Sequence, residues 1–133
     1  TVWVLKKFPN SATFGTGHLP VTVHLLWGAD VADWYGDYHV SLGLKAEKYP
    51  THASGCASYK VRMSPTYGPT YVVALKHWAN DSAGLGILSH EAFHAVERIM
   101  WFAGGEHCRK SSENWAYLLD SLVTRMYEAL PGE

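Results

Sequence analysis

The stretch His90-Glu91-Ala92-Phe93-His94 contains the residue types and spacing that could carry out chemistry. Residues four apart on an α-helix lie nearly above one another, so His90 and His94 can offer imidazole nitrogens to a single metal ion. Glu91 lies to the side of that ligand face, where its carboxylate can hold a metal-bound water and accept its proton. The motif therefore predicts half of a zinc-hydrolase site, with Glu91 as the general base.

The sequence around the motif is long, largely apolar and compatible with a helix. Residues 85–88 and 95–102 are mostly apolar, and Gly104-Gly105 is a natural stop after them. The alternative is a buried helix whose histidines only pack or hydrogen-bond to neighbours. The helical setting and the intervening glutamate favour the metal site.

A third ligand is needed, because catalytic zinc takes three protein ligands and keeps a fourth position for water. Ser111 or Ser112 can cap a second helix that ends at Pro131, and Glu113 lies in its first turn. Antiparallel packing of the two helices is expected to bring Glu113 alongside the histidines. The competing explanation is that acidic residues favour the first turn of any helix.

Other ligand schemes are weaker. A metzincin site would need Gly and His where the chain has Glu97 and Met100, which excludes that class. Cys56 is a runner-up ligand from upstream. The residues at 106–108, Glu106, His107 and Cys108, are further candidates, although a surface loop is the expected role of that segment.

The HExxH motif followed by 18 residues and a glutamate resembles the gluzincin metallopeptidases, especially their aminopeptidase branch, over about residues 89–120. The chain is also similar to small HExxH proteins of phages and prophages, in which a glutamate introduces an Ala-Tyr-Leu helix like that of residues 113–119. The resemblance implies a peptidase that holds Zn²⁺ with His90, His94 and Glu113. It also implies that residues 71–76, the strand before the motif helix, border the cleft and pair with an extended substrate.

The chain departs from the thermolysin-like gluzincins one turn after the glutamate ligand. An aspartate that orients a ligand histidine is typical there, whereas this chain has Tyr117, with Asp120 a further turn along. Asp120 could orient a histidine, and Tyr117 could act in catalysis by donating a hydrogen bond to the oxyanion. A packed tyrosine ring and a solvated aspartate are the equally weighted alternatives.

The elements that must position these residues can be predicted from the periodicity. The predicted strands are residues 2–8, residues 21–27, a short strand near 38–42 within a loop at 30–50, and a hairpin of residues 58–63 and 70–77. N-cap candidates at residues 80–82 then begin the helical half. Residues 1–133 are thus expected to form one α+β domain, a minimal zincin-like fold with a small mixed or antiparallel sheet packed on two C-terminal helices on one face.

Composition limits the function classes. The chain has 133 residues, 47% of them hydrophobic, and a net charge of −1. The absence of a Lys/Arg cluster argues against nucleic acid as a partner, and no apolar run approaches the ~20 residues that span a bilayer. The many tyrosines and tryptophans ahead of the motif could line a substrate groove, but filling the core is the expected role.

The leading hypothesis is a monomeric zinc peptidase that acts on a peptide or protein in the cytoplasm, that of a bacterial host if the chain is phage-encoded. Two cysteines allow but do not require a disulfide, and Thr1 leaves a removed leader open. The alternative is a non-catalytic, zinc-stabilised module that binds a host or virion protein. A fourth protein ligand on the metal would favour that alternative.

Overall fold

A computed structural model describes residues 8–16, 19–50, 52–60, 69–102 and 112–132. In chain order the described elements are β1 (Ser11–Thr16), β2 (Leu19–Trp27), α1 (Val31–Ser41), β3 (Gly55–Lys60), β4 (Thr70–Leu75), α2 (Ser82–Phe102) and α3 (Ser112–Ala129). The predicted α+β class, with strands in the N-terminal half and a helix pair at the C-terminal end, is confirmed. The strand predicted at residues 2–8 lies outside the described residues, apart from Phe8.

The four described strands form one mixed sheet in the order β1-β2-β4-β3. β1 and β2 are antiparallel, β2 and β4 are parallel, and β3 and β4 are antiparallel. The predicted pairing of the hairpin strands is therefore confirmed, while its turn lies outside the described residues. All six residues of β4 are buried, because this strand is flanked by β2 and β3 and covered on both faces.

One face of the sheet packs against α2 and α3. Alternate strand residues point to this face, as period-2 geometry requires. They meet the apolar stripe of the motif helix, formed by Leu88, Ala92, Ala95, Val96 and Ile99, each at most 1% exposed. This burial fixes the rotation of α2 about its axis, so the rest of the helix surface faces away from the core.

The opposite face is covered by α1, which corrects two predictions. Residues 30–50 were expected to be loop with a short strand near 38–42, but residues 31–41 form a helix, and only residues 42–50 are irregular as expected. The helices were expected on one face only, which is also wrong. Val31, Tyr35 and Tyr38 lie on one side of α1 and pack against strand residues such as Leu26 and Val72. Tyrosine rings ahead of the motif thus fill this second core, which is the role that was expected for them.

Contacts at one end of the helix pair hold α2 and α3 antiparallel. The Trp78 indole N–H donates to the Pro131 carbonyl at 2.9 Å, and the Tyr127 hydroxyl donates to Asn80 Oδ1 at 2.9 Å. The C-terminus of α3 therefore lies beside the N-terminus of α2. Among the described residues, no helix combines the length and apolar character that crossing a bilayer requires.

Candidate metal centre

The motif lies in the middle of α2, whose start is fixed by a side-chain cap. Asp81 Oδ1 accepts a hydrogen bond from the Gly84 backbone N–H at 2.8 Å, and the Asp81 carbonyl accepts one from Leu85 at 2.9 Å. Asp81 was one of the predicted caps, and it satisfies backbone donors that a helix leaves open in its first turn. The cap and the buried stripe together place His90 and His94 on the outer face.

The two histidines converge. Their Nε2 atoms are 3.1 Å apart, with ring centroids separated by 4.7 Å and the rings nearly perpendicular at 83°. In a tetrahedral zinc site with the usual zinc–nitrogen bonds, two ligand nitrogens lie about 3.4 Å apart. The pair is therefore already close to the spacing that one zinc ion requires, and both side chains are open to solvent, at 67% and 49% exposed.

A carboxylate on the same helix orients His94. Glu97 Oε1 lies 3.2 Å from His94 Nδ1, which can donate its proton to the carboxylate and so leave the Nε2 lone pair for a metal. This is the arrangement by which ligand histidines are commonly held in one tautomer. Sequence reasoning assigned this task to Asp120 and missed Glu97; the signal was the i+3 spacing after His94.

Glu91 points the other way, into the interface between α2 and β3. It is only 6% exposed, and its side chain lies so close to Gly55 that a Cβ added to that residue would be 3.2 Å from Glu91 Cγ. Its Oε2 atom is 4.0 Å from His90 Nε2, and it forms no hydrogen bond with the described residues. Burial raises the pKa of the Glu91 carboxyl, and the nearby His90 and His94 lower it in part. A raised carboxyl pKa brings the group closer to the range of a base that works at neutral pH.

A groove of about 460 Å³ opens beside this carboxylate. Its strand side is formed by residues 53–55, its helix side by Ser82, Ala83, Gly86 and Ile87, and its end by His90 and Glu91. Its size falls in the usual range for ligand sites. A molecule held in the groove would contact the candidate base directly.

The predicted third ligand is not brought to the histidine pair. Glu113 is exposed in the first turn of α3, and Trp115, two residues later, lines a recess with Glu97, Arg98 and Trp101. Because the helices are antiparallel, that turn of α3 lies beside the last turns of α2, beyond His94. Among the residues that the structure describes, no group of three or more His, Cys, Asp or Glu side chains is placed to hold a metal. The alternative ligands at 106–108 lie outside the described residues.

Tyr117 and Asp120 are also exposed. The Tyr117 side chain is 69% exposed, and within the described part of the chain neither residue forms a hydrogen bond with the motif. Tyr117 is therefore not a ring packed in the core, which was the alternative to a catalytic role, because its ring faces solvent. Its catalytic role stays a prediction.

Two expectations about the strands are corrected. The strand expected to pair with substrate includes β4, which is flanked by β2 and β3, so its backbone hydrogen-bonding groups are already used. In the described sheet, the outer strand nearest the motif is β3. Cys56 packs into the core on the α1 face, whereas its neighbour Gly55 faces Glu91. The Cys56 thiol is free, and burial raises its pKa to about 11, so it is placed away from the histidines and poorly suited to ligation.

No family model, curated protein or solved structure matches this chain. Only the residues of the motif and their surroundings therefore bear on the function.

Proposed function

We propose that this protein is a zinc-dependent peptidase in which His90 and His94 hold the metal and Glu91 is the general base. One observation carries the proposal: two imidazole Nε2 atoms stand 3.1 Å apart next to a buried glutamate. A histidine pair that only packs on the helix surface would not need a largely buried carboxylate with an oxygen 4.0 Å from one of its ring nitrogens. A carboxyl group whose pKa is raised by burial, next to two exposed imidazoles in a groove, is typical of functional sites.

When bound, zinc would supply a Lewis acid that polarises the scissile carbonyl and lowers the pKa of a water molecule. The remaining steps belong to the protein. Glu97 holds the His94 tautomer that exposes Nε2, and Glu91 accepts a proton from the attacking water. Glu91 then returns that proton to the leaving amine nitrogen, so its raised pKa suits both transfers.

Glu113 remains the proposed third ligand on the strength of its spacing from the motif. Ligation by Glu113 requires the first turn of α3 to approach His94 more closely than in this structure. The donors at residues 106–108 are the competing source of a third ligand. The cytoplasm remains the proposed compartment, since the free Cys56 thiol is compatible with reducing surroundings.

Zinc content measured on purified protein tests the metal site. We expect about one zinc per chain in the parent and a strong loss in His90→Ala and His94→Ala, because each removes one ligand. His77→Ala is the matched control, since His77 is exposed and lies outside the motif. Equal zinc in all four proteins would exclude the proposed site.

Digestion of an unbiased peptide library tests the activity. Glu91→Gln should keep the metal but lower turnover by about 10²–10⁴-fold, the usual contribution of general acid–base catalysis. Release of zinc by Glu91→Gln, or unchanged turnover, would contradict the assignment of the base.

A zinc-stabilised binding module is the second candidate, and exposed aromatic rings on the helices favour it. Trp101 is 79% exposed and Tyr117 is 69% exposed, and such side chains are enriched at protein interfaces. Retained zinc, a fourth protein ligand and no hydrolysis by the parent would support this candidate over the peptidase.

A further inference from the structure

The groove beside Glu91 is walled almost entirely by small side chains. Residues 53–55 are Ala-Ser-Gly on the strand side, and Ala83 and Gly86 lie on the helix side, with Ile87 as the one larger apolar residue. From Ser82 to His90 the groove follows about 12 Å of helix, the length of three or four residues of extended peptide. It therefore has room for a large group next to the candidate reaction centre.

Glu91 is an independent sign that a ligand belongs in this groove. Its side chain is only 9% exposed, and it lines the groove. A carboxylate is seldom buried to this extent without a role, and buried carboxylates that line a cleft are typical of functional sites. Because Glu91 lines the groove, a molecule bound there can reach its carboxylate.

Gly86 is not required by the packing or the backbone. It lies one helical turn before His90, and a Cβ added there would meet nothing within 4 Å. Glycine inside a helix costs about 1 kcal/mol relative to alanine, so this position carries a cost that neither close packing nor a strained φ explains. What glycine provides here is width in the groove.

We infer that the groove accepts a bulky apolar side chain of a peptide substrate, next to the scissile bond, and that Gly86 sets the size of the side chain accepted. Because the groove ends at His90 and Glu91, a side chain bound in the groove would lie next to the reacting carbonyl. An acidic side chain is disfavoured by the Glu91 carboxylate, and no Lys or Arg lines the groove to pair with it. The inference rests on the proposed peptidase function.

Gly86→Leu fills the groove, and Ser89→Leu is the matched control. Ser89 is exposed on the same helix and does not line the groove. Both variants should keep the zinc content and the helical circular dichroism of the parent. For peptides with Phe at the groove position, Gly86→Leu should lower kcat/KM by about 10–100-fold, whereas Ala peptides should change by less than about threefold. Ser89→Leu should alter neither.

Binding of acetyl-phenylalanine amide, followed by NMR shifts of the Gly55 and Gly86 amides in the parent, separates the inference from the proposed function. Binding to the parent and its loss in Gly86→Leu, with no hydrolysis of any peptide, would support the groove and overturn the peptidase. Hydrolysis by the parent without preference for a large residue, or an equal loss for Phe and Ala peptides in Gly86→Leu, would overturn the groove and leave the peptidase. Neither binding nor hydrolysis by the parent would overturn both.

Discussion

Gly55→Ala is the sharpest probe of the contact between the outer strand and the candidate base. The added Cβ would lie 3.2 Å from Glu91 Cγ and 3.2 Å from the backbone carbonyl oxygen of Ala74. The carbonyl belongs to the neighbouring strand β4, across the ladder that pairs Gly55 with Leu75, so it cannot move freely. The strain must therefore be relieved mainly by displacing the Glu91 side chain by a few tenths of an ångström.

The expected size of the effect follows from two opposing terms. Overpacking a buried contact costs about 1–3 kcal/mol, and replacing glycine by alanine in a strand returns about 0.5–1 kcal/mol. A net loss of about 1 kcal/mol in the free energy of unfolding is expected, measured by urea denaturation. Since a misplacement of 1 Å at a reaction centre can cost about 10²-fold, a shift of roughly half that size should lower kcat by about tenfold.

Gly86→Ala is the matched control for stability, because its Cβ would meet nothing within 4 Å. It should raise the free energy of unfolding by up to about 1 kcal/mol through helix propensity alone. Zinc content should be unchanged in both variants, since neither touches a histidine. If Gly55→Ala proved as stable as the parent and kept its kcat, the contact between β3 and Glu91 would not position the base.

Three further perturbations test the site and its support. Glu97→Gln should weaken zinc binding by about 10–100-fold without unfolding the protein, as is usual when the orienting carboxylate of a ligand histidine is lost. Competition with a chelator measures the zinc affinity. An unchanged affinity would show that Glu97 does not support the site. Glu113→Gln should lower zinc retention and turnover together, with turnover partly restored by excess zinc, and a variant that kept full zinc would direct the search for a third ligand to residues 106–108. On the α1 face, burial, and secondarily the nearby His39, lowers the pKa of His24 from 6.5 to about 4, so the folded state favours the neutral ring. The contribution of His24 to the free energy of unfolding is therefore fully present above pH 6.5. As the pH falls from 6.5 towards 4, the free energy of unfolding decreases by up to about 3 kcal/mol. His24→Gln should flatten the urea-unfolding profile in that interval, and an unchanged pH slope would show that another group governs it.

The elements with strong periodicity could be predicted from the sequence. β4 reads as a continuous apolar run, α2 has its apolar residues at helical spacing, and both are found where the pattern placed them. α1 was missed because Gly28, Gly36 and Gly43 look like loop punctuation in a segment of mixed polarity. Burial of its tyrosines against the sheet outweighs the cost of one glycine within the helix, and that gain depends on tertiary contacts that a single sequence does not display.

β1 was missed for a related reason. Its sequence, SATFGT, has few strand-forming residues, and it lies at the outer side of β2, where one flank of the strand makes no sheet contact in the described fold. Pairing with β2 fixes it in place, with Arg125 of α3 donating to the Gly15 carbonyl at 3.1 Å. When the stability of a strand comes from its neighbours, the composition of that strand gives little indication that it is a strand.

In the candidate site too, some features follow from the sequence of a single helix and others depend on how two helices pack. His90, Glu91 and His94 belong to one helix, so their spacing alone determined that the imidazoles converge and that Glu91 points elsewhere. The distance from Glu113 to that pair depends instead on where α3 begins relative to the end of α2. α2 continues for two turns beyond His94, and α3 begins with Glu113 in its first turn, so antiparallel packing leaves the glutamate near the far end of α2. An 18-residue interval along the chain therefore identifies Glu113 as a candidate ligand without bringing it to the histidine pair. If zinc binds as proposed, either the first turn of α3 moves towards His94 or the third ligand comes from the residues that connect the two helices.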